Sequence, residues 1–289
     1  MPAQLTTDHW PLATIPLVIA HRGASGLAPE NTMAAFRLAT ALGADGFELD
    51  VQLSADGQPV VIHDARVNRT TDRTGAVAAL TAEELMACDA GAWFARRLVR
   101  RPRIRAMAQS AARLTHDTDL RFAGESVPLL AEVFALAASA KVRRVYVELK
   151  GGRWQDKQPL LDAVLALIGE QRVERAVTLL SFDHEIIRRV KVAAPRLRTA
   201  ATFAIPGRGD LTARAIISAV ERASADEAAL HYGLATRRTV AALHERGISV
   251  AVWTANSKVI MRRLLAVGVD AIMTNYPNRL AAVLAARVI

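Results

Sequence analysis

Short apolar runs, several rich in β-branched residues, alternate along the chain with longer stretches in which apolar positions recur every three or four residues. The short runs are LVIAH (17–21), GFELDVQLS (46–54), PVVIHD (59–64), RVYVELK (144–150), AVTLLSF (176–182), LRTAATF (197–203), EAALHY (227–232), ISVAVWT (248–254) and VDAIMTN (269–275). Each predicts a strand. The later ones are separated by QPLLDAVLALIGEQ, LTARAIISAVERA, TRRTVAALHERG and SKVIMRRLLAVG, which have helical period. In QLSADGQPVVIHD, Asp56-Gly57 sits between two alternating runs, so the third run is expected to return antiparallel to the second as a hairpin. With that arm set aside, eight strands remain, and no Pro/Gly/Ser-rich linker divides them. The pattern predicts one α/β domain over residues 17–289, a (β/α)8 TIM barrel, preceded by an extension over 1–16.

In such a barrel the chemistry sits where strands end. Glu48 and Asp50 are two apart in FELD, so both project from one face of their strand, opposite Phe47, Leu49 and Val51. In VYVELK, Tyr146, Glu148 and Lys150 share a face in the same way, which lets Glu148 look into the same mouth. Adjacent carboxylates repel and call for a cation, a shared proton or an arginine. Three oxygen ligands without clustered Cys or His suit a hard ion, Mg²⁺ or Ca²⁺. His21 ends the first strand, and the hairpin brings His63 back to the level of Asp50. A metal with Arg22 and Lys150 can neutralise a phosphate, while two histidines can remove one proton and supply another. Phosphodiester cleavage uses those roles. The glycines of HRGASGLAPENT allow a tight turn there, and PENT starts a helix.

The stretches HRGASGLAPENTMAAF, GADGFELDVQLSADGQPVVIHD, VPLLAEVF and VYVELK, with WTAN and GVDAIMTNYP later, resemble the glycerophosphodiester phosphodiesterase family from about residue 17 to 285. The resemblance implies a barrel of the phosphatidylinositol-phospholipase-C-like type. It also implies hydrolysis of glycerophosphodiesters to glycerol 3-phosphate and an alcohol. By position, His21 and His63 resemble the acid–base pair, Glu48, Asp50 and Glu148 the metal ligands, and Arg22 and Lys150 the phosphate-contacting groups. Trp253 is a candidate substrate contact, although a tryptophan on a strand is more often core. The chain departs from the family pattern in having Asn275 in TNYP, where an acid is common. It also carries a long basic insertion, about 95–121, after the second barrel strand.

Composition narrows the partners. The 289 residues carry a formal charge of +9, which favours anionic ones. The single cysteine, Cys88, fits a reducing compartment, and the first residues show no signal-peptide pattern, so a cytoplasmic location is expected. Apart from one cluster the basic residues are dispersed, and no nucleic-acid module is recognisable. The cluster is RRLVRRPRIR, with Arg96, Arg97, Arg100, Arg101, Arg103 and Arg105 around the apolar Leu98, Val99 and Ile104. Pro102 should break its helix, and the segment is a candidate for an anionic membrane surface. Two other classes stay open: a lipid phosphodiesterase of the lysophospholipase D or sphingomyelinase D kind, and a non-catalytic phosphate-binding protein. His9, His116, His184, His231 and His244 stand in no motif and are expected to be structural or solvated. Oligomeric state leaves no mark on the sequence.

Overall fold

A computed structural model describes residues 15–112, 122–151, 156–205 and 211–286. His9, His116 and the second part of the basic insertion lie outside them. Nine strands form among the described residues: β1 (Leu17–His21), β2 (Gly46–Leu53), β3 (Pro59–Val61), β4 (Arg144–Leu149), β5 (Val177–Ser181), β6 (Arg198–Phe203), β7 (Glu227–His231), β8 (Ser249–Trp253) and β9 (Ala271–Thr274). Helix α1 (Met33–Ala41) follows β1. Between β3 and β4 come α2 (Ala82–Met86), α3 (Ala92–Val99), α4 (Pro102–Ala112) and α5 (Leu130–Ser139). The remaining strands alternate with α6 (Gln158–Gln171), α7 (His184–Ala193), α8 (Ala213–Ala223), α9 (Arg237–His244), α10 (Lys258–Val267) and α11 (Pro277–Ala285).

β1 pairs in parallel with both β2 and β9, so the order β1-β9-β8-β7-β6-β5-β4-β2 closes into an eight-stranded barrel. β3 pairs antiparallel with the far end of β2, Val51 to Val61 and Leu53 to Pro59, as the Asp-Gly turn requires. It stops three residues short of the apolar run that predicts it. Beyond β3 the Ile62 N–H still donates to the Asp50 carbonyl at 2.9 Å, and the Gln52 side-chain amide donates to the carbonyls of Ile62, His63 and Asp64 at 3.1, 3.1 and 2.6 Å.

The two faces of each strand divide the core. Phe47, Leu49, Val145, Val147 and Leu149 pack outward among Phe36 of α1, Phe134 of α5 and Leu161 of α6. Inside the barrel, Ala200, Ala229, Ala251 and Ala271 from four consecutive strands accommodate the ring of Tyr146, with Ile19, Leu180 and Met273. Burial would strand the Tyr146 hydroxyl, and it donates to Glu227 Oε1 at 2.7 Å. Arg198 reaches the other Glu227 oxygen at 3.4 Å.

Pro102 does divide the basic insertion, ending α3 and opening α4. Two of the three apolar anchors expected among its arginines turn inward. Leu98 is buried with Phe94 and Ala108, and Ile104 packs against that cluster, which leaves Val99 as the outward one. No helix of the described residues is long and apolar enough to cross a membrane.

The turn after β1 is held by Gly23, at φ +72, where an added Cβ would lie 2.6 Å from the Ala35 backbone carbon. Gly23→Ala therefore combines left-handed strain with backbone overlap. It should destabilise the protein by about 3 kcal/mol or more, read as a lowered thermal midpoint. An unchanged midpoint would show that the turn relaxes freely.

Candidate active site

His21, Arg22, Glu48, His63, Glu148, Lys150 and Trp253 line one cavity of about 100 Å³ at the C-terminal mouth of the barrel. Asp50 is fully buried, within ion-pair reach of Arg22 and Lys150. Strand register explains the convergence: His21 stands beside Glu48 across β1 and β2, and Asp50 beside Glu148 across β2 and β4. The eight residues singled out by sequence thus meet in one place.

Oxygens of Glu48, Asp50 and Glu148 lie within 4.8 Å of one another, and all three residues are buried. Burial disfavours the Asp50 carboxylate, but Arg22 Nε and Lys150 Nζ, each 3.0 Å away, outweigh it and hold Asp50 below the usual carboxylate range. Glu148 has Lys150 at 2.7 Å, yet burial and the Asp50 charge push it up to about 7. Glu48 accepts the Arg22 backbone N–H at 3.0 Å, and burial with Asp50 beside it raises it well above its ordinary value. Two fixed cations face three carboxylates, one charge short of balance, so protons are retained where a cation could stand. An all-oxygen, buried, under-neutralised donor set fits a divalent hard ion.

The turn between β1 and α1 supplies more than a helix start. Thr32 alone is the N-cap, its hydroxyl accepting from the Ala35 N–H at 3.3 Å. Asn31, at φ +56, donates from its side-chain amide to Asp50 Oδ2 at 2.8 Å. Arg22 is also left-handed at φ +56, and Glu30 accepts from its Nη1 at 2.9 Å. Two non-glycine residues held there carry backbone strain, against which Arg22 gains its ion pairs to Asp50 and Glu30 and Asn31 its hydrogen bond to Asp50.

The histidines differ in surroundings. His21 Nδ1 donates to Asn275 Oδ1 at 2.8 Å, so the residue that breaks the family pattern orients this ring. Burial and then Arg22 lower the His21 pKa to about 4, leaving it neutral near pH 7. His63 Nδ1 lies 2.6 Å from Asp64 Oδ1; burial keeps this imidazole below its ordinary value despite Asp50. Trp253 is partly exposed, its indole N–H donating to the Ala229 carbonyl at 3.1 Å and its ring edge-on to Phe182 and to His231, both at 5.5 Å. It therefore lines the mouth while being anchored in the wall. His184 bonds the Thr202 carbonyl at 3.0 Å, and His244 bonds Asp270 at 2.8 Å.

Sequence profiles of protein families match this chain over residues 21–279 with one described as the glycerophosphoryl diester phosphodiesterase family. The chain belongs to that family. A glycerophosphodiester phosphodiesterase from Caldanaerobacter subterraneus subsp. tengcongensis is 36% identical over 267 residues, 91% of this chain and 96% of the relative. A solved glycerophosphodiester phosphodiesterase from Agrobacterium tumefaciens is 28% identical, with a TM-score of 0.73 over 93% of this chain and 100% of its own. A phosphodiesterase from Oleispira antarctica, solved with the product sn-glycerol-3-phosphate, is 25% identical with a TM-score of 0.77, covering 93% of this chain and 97% of its own. The glycerophosphodiester phosphodiesterase family thus accounts for nearly the whole barrel.

If the triad is a cation site, binding must displace protons from Glu148 and Glu48. Affinity for Mg²⁺ or Ca²⁺ should then fall as pH drops below about 7, by up to about tenfold per unit for each proton displaced. Titration calorimetry at pH 6 and pH 8 checks this; equal affinities would contradict it.

Proposed function

We propose that this chain hydrolyses glycerophosphodiesters to glycerol 3-phosphate and an alcohol, using His21 and His63 as the acid–base pair beside a divalent cation. Membership of the family makes it a phosphoric diester hydrolase by class. The observation that carries the finer reading is the convergence of two differently held histidines on the buried Glu48, Asp50 and Glu148 set. Bound there, a divalent cation supplies positive charge against the phosphate oxygens.

The chain's own residues do the rest. Arg22 and Lys150, now turned to Asp50 and Glu148, are the cations available to the substrate's non-bridging oxygens. His21, neutral and oriented by Asn275, suits removal of a proton from the attacking hydroxyl. His63, with Asp64 facing its Nδ1, is the group left to carry a proton on Nε2 and pass it to the leaving alcohol oxygen. Attack by the substrate's own glycerol 2-hydroxyl would give a cyclic phosphate that water then opens, a route suggested by the family resemblance. Phe182, 46% exposed beside Trp253, offers an apolar wall to the bound molecule.

His21→Ala and His63→Ala should each lower kcat by at least about 10²-fold on glycerophosphocholine or glycerophosphoethanolamine, with the fold intact by circular dichroism. Exhaustive chelation should abolish turnover, and Mg²⁺ or Ca²⁺ should restore it. Near-normal kcat in either variant, or full activity after verified metal removal, would overturn the assignment concerned.

A lipid-surface role has one specific observation in its favour: Arg100, Arg101, Arg103 and Arg105 are exposed around Val99, which is 71% exposed. Native protein should co-sediment with phosphatidylglycerol vesicles at low salt, and a variant with those four arginines changed to Gln should bind less. Equal binding by both, or none by either, would return the segment to ordinary surface. Comparing glycerophosphocholine with lysophosphatidylcholine separates the soluble substrates from the lipid ones.

A further inference from the structure

Arg69 stands at the end of the short 3₁₀ turn Val67–Arg69, outside every role assigned above, and makes four hydrogen bonds to two carboxylates. On one edge Nε donates to Asp64 Oδ2 at 2.6 Å and Nη2 to Asp64 Oδ1 at 3.1 Å. On the other, Nη1 donates to Glu30 Oε2 at 2.9 Å and Nη2 to Glu30 Oε1 at 2.8 Å. Each carboxylate also touches the candidate machinery. Asp64 Oδ1 faces His63 Nδ1 at 2.6 Å, and Glu30 Oε1 accepts from Arg22 Nη1 at 2.9 Å. One planar guanidinium therefore links the partner of His63 to the partner of Arg22.

Partly exposed ion pairs usually contribute little to stability. Their value here is geometric, because a doubly bidentate fork leaves neither carboxylate free to rotate. The His63 backbone is already pinned by the Gln52 amide, so the remaining freedom at His63 is ring rotation about its side-chain bonds. A carboxylate fixed at Nδ1 removes that freedom and keeps Nδ1 protonated, in the neutral ring as the Nδ1–H tautomer and in the imidazolium alike, which leaves Nε2 as the nitrogen that gains and gives up the exchanged proton. Arg69 holds Asp64 below the usual carboxylate range, at about 2, so the acceptor stays ionised throughout the working range.

We infer that Arg69 is a positioning residue: through Asp64 it fixes the His63 ring, through Glu30 it fixes Arg22, and so it keeps the proton-transfer group in register with the phosphate-binding group. The inference rests on the roles proposed above for His63 and Arg22. It also distinguishes Arg from Lys, because an ammonium cannot span two carboxylates edge to edge.

The test uses Asp64→Asn, Arg69→Gln and Arg69→Lys, with His63→Ala as reference. Steady-state kinetics on glycerophosphocholine are combined with long-range ¹H–¹⁵N correlation of the His63 ring nitrogens. Asp64→Asn should lower kcat about tenfold or more with KM nearly unchanged, since only His63 loses its guide. Arg69→Gln should lower kcat and raise KM severalfold together, since Arg22 is loosened as well. Arg69→Lys should behave like Arg69→Gln, and it carries the same reading should the Gln variant not fold. The His63 ring should be a single Nδ1–H tautomer in the native protein and a mixture in the variants. Native kcat and KM in both Arg69 variants, or an undisturbed His63 tautomer, would overturn the inference. An active His63→Ala would instead remove His63 from the chemistry, while the ring spectra would still decide what Arg69 positions.

Discussion

Three carboxylates whose oxygens crowd within 4.8 Å in a buried mouth repel one another, and most of the local structure answers that repulsion. Asp50 recruits Arg22, Lys150 and the Asn31 amide. To bring Arg22 there, the chain after β1 enters the left-handed region at Arg22 and Gly23, and then again at Asn31. Glu48 and Glu148 obtain less compensation and keep high affinity for protons. Acids held in this state could exchange their protons for a cation, and the interactions that reduce the cost of crowding them are the same ones that place Arg22 and Lys150 beside the site.

The barrel makes this crowding sustainable. Parallel register sets Glu48 against Tyr146 and Asp50 against Glu148, so the acids lie in two successive steps along the strands, beside and beyond an interior filled by Tyr146, small alanines, Ile19, Leu180 and Met273. Below them, Tyr146 and Arg198 both bond Glu227, and Arg144 bonds the buried Thr178. Above them the β3 arm and the turn to Arg69 form a partial rim, tied to the barrel by Gln52 on one side and Glu30 on the other.

What was legible in the sequence follows from periodicity and local spacing. Alternation within FELD and VYVELK put Glu48, Asp50 and Glu148 on inward faces, and the Asp-Gly turn located His63, because both are short-range properties of strands. The closed barrel followed from counting strands. Residues whose partners are distant in sequence were not legible. Glu30 and Asn31 read as a helix start, although Asn31 serves Asp50 and Glu30 serves Arg22 and Arg69. Asn275 read as a departure from a pattern, and only closure of β9 onto β1 brings it to His21. Leu98 and Ile104 read as surface anchors because charge density conceals which helix face is covered.

On the function proposed here, Glu48, Asp50 and Glu148 together hold a divalent cation in the mouth shared by His21 and His63. Anomalous diffraction from crystals grown with Mn²⁺ in place of Mg²⁺ or Ca²⁺ tests it most directly. One ion is expected, with an oxygen of each of the three carboxylates about 2.0–2.6 Å away, and the Lys150 ammonium drawn off Glu148. A mouth without an anomalous peak, with Lys150 still bridging Asp50 and Glu148, would contradict it.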